Sequence, residues 1–274
     1  MKGIIIGNGY MGNRIADYMH YDISQFRIED QRTLEAYLDQ EKPDVVINAA
    51  GKTGRPNIDW CETHKEETMF GNTVVPIILA TACAKRGIYM VHIGSGCMYD
   101  GYPDGEGFTE LDEPNFYGPQ FYAKTKILAE KALKEFDCLQ LRIRMPIDNH
   151  PHDRNLIDKL SKYQKVLDAP NSMTTVPHLL PALKHLIENR KTGVYNATNP
   201  GLISASDIMA MYVRIVNPNH RYEVFSVDAL DKVTLGKRSN CKLDSSKLMK
   251  EFPMPEIHDA VEECIRRYAE YQLL

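Results

Sequence analysis

The sequence predicts an α/β fold: a Rossmann-like, doubly wound parallel sheet followed by a smaller C-terminal lobe. Short apolar segments alternate with longer helical segments through the first half of the chain. The first apolar segment runs directly into Gly7, Gly9 and Gly12, a Gly-x-Gly-x-x-Gly turn. Near Pro146 the alternation gives way to loops rich in His and Asn. Strands without polar residues are buried on both faces, as in a parallel sheet covered by helices.

The elements of the first half follow from this alternation. The apolar runs typical of buried strands are residues 4–6, 45–49, 88–93 and 139–143. The intervening segments predict helices over residues 13–20, 32–40, 68–86 and 122–135. In a parallel sheet the strands end at one edge, where ligands bind. Three loops, residues 7–12, 48–55 and 94–101, are expected at that edge, beside the helix that begins near Tyr122.

The second half predicts a separate lobe. We place a nucleotide-binding domain at residues 1–145 and a substrate-binding lobe at residues 146–274, which partly returns to the sheet near 176–198. Strand candidates are residues 166–168 and 194–197. Ser204 and Asp207 have the spacing of a capping box at a helix start, and residues 256–271 predict a closing amphipathic helix.

Composition limits the possible partners. The chain has 274 residues, 43% of them hydrophobic, and a formal net charge of −4 without any basic block, so we expect no nucleic-acid partner. Its longest apolar run, residues 75–84, is shorter than the ~20 residues of a membrane span, and no membrane association is expected. Six scattered cysteines without Cys-x-x-Cys spacing indicate reduced thiols in the cytoplasm. The nine histidines show no ligand spacing, and no metal is predicted.

The glycine turn predicts a dinucleotide site. Glycines allow a tight turn after the strand, so that amides at the start of the following helix face a pyrophosphate. A glycine-rich turn without a ligand remains the alternative, since the motif recurs by chance. The expected cofactor-binding residues are those of the turn and of the loop after the 45–49 strand: Gly7, Gly9, Tyr10, Met11, Gly12, Asn48, Ala49, Ala50 and Gly51.

The type of dinucleotide is weakly encoded. No acidic residue lies ~20 residues beyond the turn, where it would bind a ribose 2′-hydroxyl. Arg27 lies near the expected end of the second strand and could bind a 2′-phosphate. NADP(H) is therefore the preferred cofactor, with NAD(H) possible.

A Tyr-x-x-x-Lys pair and a serine supply candidate proton chemistry. Tyr122 and Lys126 are one helical turn apart, on the same face, and a nearby cation is expected to lower the pKa of a phenol. Ser95 follows the 88–93 strand and could donate a hydrogen bond to a substrate carbonyl. The alternatives are a solvated helix face and an ordinary turn serine.

Together these motifs resemble the extended short-chain dehydrogenase/reductase superfamily. Within it the chain resembles the sugar-nucleotide branch of the dTDP-4-dehydrorhamnose reductases, and more closely the bifunctional 3,5-epimerase/4-reductases that make UDP-rhamnose. The stretches that carry the resemblance are residues 54–62, 96–97, 142–147, 170–174 and 238–240. The turn departs from the Gly-x-x-Gly-x-x-Gly of many relatives by being one residue tighter, which leaves the detailed pyrophosphate contacts open.

The resemblance implies residue roles. Tyr122 would give a proton to O4 while hydride reaches C4, Lys126 would bind the nicotinamide ribose, and Ser95 would polarise the carbonyl. Cys97 and Lys159 would be the acid/base pair that epimerises C3 and C5, although Lys162 and Lys165 lie close to Lys159 in sequence. Asp30 matches a position near the adenine, with a solvated loop acid as the alternative. The expected substrate-binding residues are Thr53, Arg55, Gly96, Met98, Asn155 and Arg238.

Two other functions remain open at this point. The first is a reductase without epimerase activity. The role of Cys97 distinguishes this reductase from the two-step epimerase/reductase. A non-catalytic, dinucleotide-binding regulatory subunit is the second, although such subunits usually lack the Tyr-Lys pair that this chain retains. The expected partner is a nucleotide-linked sugar, with UDP and dTDP both possible, and the expected assembly is a homodimer.

Overall fold

A computed structural model describes residues 1–105, 107–118, 120–232 and 234–271. The chain divides into two compact units that interleave along the sequence. Unit 1 comprises Met1–Met98, Phe116–Arg142 and Leu186–Tyr195; unit 2 comprises Tyr99–Asn115, Ile143–His185 and Asn196–Leu274.

Strands and helices alternate in unit 1, as the sequence predicts. The strands are β1 (Gly3–Ile6), β2 (Asp22–Ser24), β3 (Val45–Asn48), β4 (Tyr89–Ser95), β5 (Cys138–Ile143) and β7 (Gly193–Asn196). The helices are α1 (Tyr10–Met19), α2 (Gln31–Glu41), α3 (Trp60–Thr63), α4 (Lys65–Met69), α5 (Val75–Ala84) and α6 (Phe121–Leu133). All four residues of β1 and of β3 are buried, which explains why Asn48 is the one polar residue among them.

The six strands form one sheet in the order β2-β1-β3-β4-β5-β7. β1 pairs in parallel with β2 and with β3, and β3 pairs in parallel with β4. The chain moves outward in one direction after β1 and in the other after β3, so the order reverses between these two strands. Such a reversal opens a crevice at the carboxyl ends of the strands, where doubly wound folds bind ligands. The predicted Rossmann-like fold class is confirmed.

The predicted helix over residues 68–86 is one helical run, Lys65–Ala84, with a π-helical turn at Phe70–Val74 in its middle. By length and composition this run could cross a membrane, but half of its most apolar window is buried in the structure. Val75, Leu79 and Cys83 belong to the apolar core of unit 1, together with Leu34 and Leu38 of α2. The burial is typical of a core helix.

Unit 2 has its own core of apolar side chains, among them Ile157, Ile208, Val261 and Ile265. Its elements are α7 (Leu156–Leu160), β6 (Lys165–Leu167), α9 (Ala205–Ile215), β8 (Glu223–Phe225), α10 (Val227–Asp231), α11 (Ser246–Glu251) and α12 (Ile257–Tyr271). α8 (Val176–Glu188) begins in unit 2 and ends in unit 1. β6 and β8 form a small parallel sheet.

Two helix predictions for unit 2 hold in detail. The side chain of Ser204 accepts a hydrogen bond from the Asp207 amide, and the Asp207 carboxylate accepts one from the Ser204 amide, which completes the capping box of α9. α12 covers the predicted closing helix. One segment differs in placement: Tyr99–Asn115, inside the predicted first domain, belongs to unit 2, because Gly101 and Phe108 bridge to Cys241 and Leu243.

Candidate active site

The turn between β1 and α1 needs glycine at two positions for different reasons. At Gly7 the φ angle is +113°, and a Cβ would lie 2.5 Å from the Ala50 nitrogen. At Gly12 a Cβ would lie 1.9 Å from the Gly7 carbonyl oxygen, so glycine here allows α1 to approach the strand end. At Gly9 a Cβ would meet nothing within 4 Å. Gly9 therefore borders open space at the helix start, where a phosphate can reach backbone amides.

A cleft of about 590 Å³ lies beside this turn. It brings together three of the segments that the sequence predicts to bind a cofactor: the glycine turn, the loop after β3, and the segment after β2 that contains Arg27. The residues lining it are Ile6, Gly7, Asn8, Gly9, Ser24, Gln25, Phe26, Arg27, Ile28, Ala49, Ala50, Gly51, Lys52, Phe70, Gly71 and Val75. The cleft has the place and the size expected of a ligand site in a doubly wound sheet.

Several of the expected cofactor residues lie outside the cleft lining. Tyr10, Met11 and Gly12 lie on α1 and do not line the cleft. Asp30 is the N-cap of α2, where its Oδ1 accepts a hydrogen bond from the Thr33 amide at 2.8 Å. The structure thus gives Asp30 a helix-capping role, outside the cleft lining.

Asn48 orients the loop after β3 from inside the sheet. Its Oδ1 accepts a hydrogen bond from the Ala50 amide at 3.1 Å. Its Nδ2 donates to Nδ1 of His92, the register partner of Asn48 on β4, at 3.1 Å. Complete burial lowers the pKa of His92 well below its ordinary value, and Lys126 lowers it further, so His92 is neutral. The buried amide therefore fixes the course of Ala49–Gly51 along the cleft.

Gly9→Val tests the cofactor role of the glycine turn. The branched side chain projects into open space, so we expect the fold to persist while a pyrophosphate loses its approach to the helix amides. The affinity for NADPH should fall by more than about tenfold in isothermal titration calorimetry, which corresponds to roughly 1.4 kcal/mol. An unchanged thermal unfolding midpoint is the control for folding. Undiminished NADPH binding by the folded variant would contradict the assignment.

Ser95, Cys97, Tyr122 and Lys126 all lie in unit 1, and the structure brings them together. Tyr122 and Lys126 are both buried on α6, with 8% and 6% of their surfaces exposed. Ser95, the last residue of β4, hydrogen-bonds to the Tyr122 phenol. The Ser95 Oγ also accepts a hydrogen bond from the Cys97 amide at 3.1 Å. Lys126 reaches the cofactor loop, since a Cβ on Gly51 would lie 3.4 Å from its Nζ.

Burial is the largest influence on the protonation of Tyr122 and Lys126. It raises the pKa of Tyr122 well above its ordinary value; Cys97 raises it further, and the Ser95 hydrogen bond lowers it. Burial also lowers the pKa of Lys126 to about 8. The prediction that Lys126 lowers the Tyr122 pKa is wrong for this arrangement, because removing water from the phenolate acts in the opposite direction and is the largest effect. The phenol stays protonated, as a proton donor must be.

The π-helical turn Phe70–Val74 holds α6 and the cofactor loop together. Asn72 Oδ1 accepts from the Lys52 amide at 2.7 Å, and Asn72 Nδ2 donates to the Lys52 carbonyl at 2.9 Å and to Thr125 Oγ1 at 3.2 Å. The Thr73 hydroxyl donates to the Thr125 carbonyl at 2.8 Å. Thr125 directly precedes Lys126. Asn72 and Thr73 of the π-helical turn therefore fix the helix that carries this lysine.

Lys159 lies in unit 2, at the end of α7, and differs from its neighbours in environment. Burial and the nearby Arg154 cation lower the pKa of Lys159. Lys162 and Lys165 are instead 63% exposed in their side chains, and each forms an ion pair, with Asp153 and Glu223 respectively. Of the three lysines, Lys159 is the one with the environment of a proton-transfer group.

Asn155 organises the loop before Lys159. It is fully buried and is the N-cap of α7, where its Oδ1 accepts from the Asp148 and Ile157 amides at 3.1 and 3.3 Å. Its Nδ2 donates to the Asp148 and His150 carbonyls at 2.9 and 3.0 Å. These four bonds occupy both ends of the amide, so its structural role is to set the position of the helix that carries Lys159.

The remaining predicted substrate residues are distributed over both units. In unit 1, Thr53 and Arg55 are exposed in the loop after β3, whereas Gly96 and Met98 are buried around Cys97. In unit 2, Arg238 is partly buried, and its Nη1 donates to the Gly236 carbonyl at 2.7 Å. The residues just after Arg238 are held by the buried Arg144, whose guanidinium donates to Ser239 and Cys241. The same guanidinium also donates to Asn171.

Several residues around the candidate site were not predicted: Asn72, Thr73, Thr125, His92 and Glu62. Each contacts a residue far away in sequence, as Asn72 contacts Thr125 and Glu62 contacts Phe121. His92 and Asn48 carry the one signal that could have been used, since polar residues inside two apolar strand segments require buried partners.

Comparisons with known proteins identify relatives along most of the chain. The family model described as the RmlD substrate binding domain matches residues 11–270. The chain is 43% identical over 268 residues to an Arabidopsis thaliana protein described as a trifunctional UDP-glucose 4,6-dehydratase/UDP-4-keto-6-deoxy-D-glucose 3,5-epimerase/UDP-4-keto-L-rhamnose-reductase. That alignment covers 92% of this chain and 40% of the plant protein. The chain thus spans about two fifths of that relative's length.

Two further similarities extend over most of both proteins. A bifunctional dTDP-4-dehydrorhamnose 3,5-epimerase/dTDP-4-dehydrorhamnose reductase of Arabidopsis thaliana is 41% identical over 240 residues, which are 85% of this chain and 79% of that protein. The crystal structure of a UDP-rhamnose synthase from Acanthamoeba polyphaga mimivirus matches with a TM-score of 0.92 and 32% identity, covering 97% of this chain and 99% of the viral chain.

Proposed function

This chain belongs to the RmlD substrate-binding-domain family, and from that membership and the geometry of unit 1 we propose that it reduces the 4-keto group of a nucleotide-linked 4-keto-6-deoxy sugar. The relatives are described as carrying out epimerase and reductase steps on nucleotide-linked sugars, and the proposal makes this chain an NAD(P)H-dependent enzyme of the same metabolism. The observation that carries the proposal is the buried arrangement of Ser95, Tyr122 and Lys126 beside the loop that borders the glycine-lined cleft.

NADP(H) is the proposed cofactor, with NAD(H) as the alternative. The cleft fits a dinucleotide, because side chains are excluded at Gly7 and Gly12 and absent at Gly9, which leaves the helix amides accessible. Arg27 in the cleft lining supplies a cation for a 2′-phosphate. Lys126 lies beside Gly51, in the loop after β3. We assign to Lys126 the binding of the nicotinamide ribose. When bound, the cofactor supplies the hydride that adds to C4 of the sugar.

The side chains of unit 1 then complete the reduction. The Ser95 hydroxyl donates a hydrogen bond to the 4-keto oxygen and withdraws electron density from C4. As the C4–H bond forms, negative charge develops on O4, and Tyr122 gives its phenolic proton to that oxygen. A proton from solvent then restores the phenol. The buried setting strengthens each of these interactions because water does not screen them.

We also propose that the same chain epimerises C3 and C5 before the reduction. Protons next to the 4-keto group are acidic because the carbanion is an enolate, so a base can remove one and an acid can return one on the opposite face. Cys97 is the first group: it is partly exposed and lies next to Tyr122 in unit 1. Lys159 is the second: its lowered pKa in unit 2 makes proton transfer near neutral pH easier.

The alternatives remain a 4-keto reductase that receives an already epimerised sugar, and a regulatory subunit that binds a dinucleotide without turnover. The presence of Cys97 and the environment of Lys159 favour the two-step enzyme over the first alternative. The Ser95–Tyr122 hydrogen bond and the buried Lys126 favour an enzyme over the second. The proposal further includes UDP or dTDP as the carrier of the sugar, a homodimer, and a cytoplasmic location.

One incubation tests these functions together. Purified protein is incubated with NADPH and either UDP- or dTDP-4-keto-6-deoxy-glucose, and the sugar product is identified by NMR. Nucleotide-linked L-rhamnose is the expected product. A 4-hydroxy sugar without inversion at C3 and C5, or no product except with pre-epimerised substrate, would leave a reductase alone. No oxidation of NADPH with any of these substrates would favour the regulatory subunit.

A further inference from the structure

The helix that carries Tyr122 is capped by a residue from a distant part of the chain. α6 begins after Gln120, whose side chain makes no capping hydrogen bond, and its first turn contains no acidic residue. The amide of Phe121, its first residue, donates instead to Oε1 of Glu62 at 2.6 Å. Glu62 lies on α3, 59 residues earlier in sequence. A bond between two segments this far apart is a tertiary constraint and no part of the local capping of α6.

The bond is strong for its type. The first amides of a helix have no partner within the helix and carry the positive end of its dipole, so a carboxylate is their best acceptor. A bond to an ionised acceptor is shorter and about twice as strong as one between neutral groups. Tyr122 directly follows Phe121, and its phenol must meet Ser95. The position of the phenol therefore depends on where Glu62 holds the start of α6.

Glu62 lies on α3, the short helix that continues the loop after β3. Cys61, its neighbour on α3, is fully buried, and its Sγ contacts the Lys52 carbonyl at 3.8 Å. Trp60, at the start of α3, stacks on His64 with ring centroids 4.0 Å apart. Its Cβ would lie 2.4 Å from a Cβ on Gly54, which has a φ of +67°. The helix and the loop before it are thus packed as one folded segment.

This segment carries the exposed Thr53 and Arg55, two of the residues expected to bind substrate. We propose that Glu62 is a positioning residue for Tyr122, and that its bond to the Phe121 amide links the loop with Thr53 and Arg55 to the proton donor. Displacement of this loop by a bound sugar nucleotide is transmitted to the start of α6. The proposal rests on the proposed reductase function and adds to it a residue that touches neither cofactor nor substrate.

Three variants test the kinetic consequence. Glu62→Ala removes the acceptor, and the rate constant kcat for reduction should fall about ten- to hundredfold, because a shift of ~1 Å at a reacting group has effects of this size. The Kd for NADPH should not change, since the glycine turn is untouched. Glu62→Gln keeps an oxygen that can accept the Phe121 amide and should recover most of kcat. The matched control is Glu67→Ala, which removes an exposed carboxylate on α4.

Two physical measurements follow the link without turnover. Trp60 is the only tryptophan of the chain, so its quenching by acrylamide reports on α3 alone. Quenching should increase in Glu62→Ala and stay unchanged in Glu62→Gln and Glu67→Ala. Amide hydrogen exchange at Phe121 should become faster in Glu62→Ala only. Thermal unfolding of each variant shows that the fold is intact.

The outcomes separate this proposal from the proposed function. A Glu62→Ala variant with wild-type kcat, or a Glu67→Ala variant with an equal loss, overturns the positioning role. Unchanged Phe121 exchange in Glu62→Ala overturns the link as well. If the wild-type protein reduces no 4-keto sugar, the proposed function fails, while Trp60 quenching and Phe121 exchange still decide whether Glu62 holds α6.

Discussion

Tyr122→Phe is expected to slow the reduction of a pre-epimerised 4-keto sugar by roughly 10²- to 10⁴-fold, the usual effect of losing a general acid. The substitution keeps the aromatic ring, which is 8% exposed, and so keeps its packing in unit 1. It removes the phenolic hydroxyl that Ser95 contacts. Single-turnover oxidation of NADPH, followed by absorbance, measures the chemical step directly.

The control for Tyr122→Phe is cofactor binding. The residues that line the cleft are unchanged, so calorimetry should give the same NADPH affinity as for the unmodified chain. Tyr117→Phe provides a matched substitution, because this tyrosine is 51% exposed and lies ahead of α6. Near-normal NADPH oxidation by Tyr122→Phe would refute its assignment as the proton donor.

Cys97→Ser is expected to abolish hydrogen exchange at C3 and C5 while leaving 4-keto reduction in place. A serine hydroxyl matches the thiol in shape but ionises far less readily, so it cannot act as the base. Deuterium uptake from D₂O at C3 and C5, followed by mass spectrometry in the presence of NADP⁺, should fall by about 10²-fold or more. Reduction of a pre-epimerised sugar should persist, because Ser95, Tyr122 and Lys126 are retained.

Lys159→Met should produce the same separation of the two steps. Methionine retains the apolar packing of the lysine stem and removes the ammonium. Lys162→Met is the matched control, since this side chain is 63% exposed and paired with Asp153, and it should exchange deuterium normally. Undiminished uptake in both Cys97→Ser and Lys159→Met would return the chain to the reductase without epimerase activity.

The sequence predicts the fold well where one physical factor dominates. A fully buried strand such as β1 requires uninterrupted apolar residues, and its sequence shows this directly. β2, with the sequence Asp-Ile-Ser and partial exposure, has no such pattern. α8 contains Pro181, which normally ends a helix, and its tertiary packing overrides that local signal. The interleaving of the units depends on bridges such as Phe108 to Leu243, which no local pattern encodes.

The candidate site divides in the same way. The glycine spacing and the Tyr-Lys spacing are local, because each reflects the geometry of one turn or one helix face, and the structure places both sets as expected. The residues that hold them are not local. Glu62 reaches Phe121 across 59 residues, Asn72 reaches Thr125 across 53, and Asn48 reaches His92 across 44. Identifying such pairs requires the three-dimensional fold, because their spacing follows from the order of the strands.

The buried ammonium of Lys126 also has a consequence for the thermodynamics of folding. Its pKa of about 8, against 10.5 for an ordinary lysine, means that the folded chain holds this proton less tightly than the unfolded chain does. Below pH 8 Lys126 is protonated in both the folded and the unfolded chain. Burying its charge then lowers the free energy of unfolding by on the order of 3 kcal/mol, and this is the full penalty. Between pH 8 and 10.5 the penalty is progressively relieved, so this one group makes the protein more stable as the solution becomes alkaline. Replacing Lys126 by an apolar residue is therefore expected to stabilise the fold at neutral pH, at the expense of the group that the proposed reduction uses to bind the nicotinamide ribose.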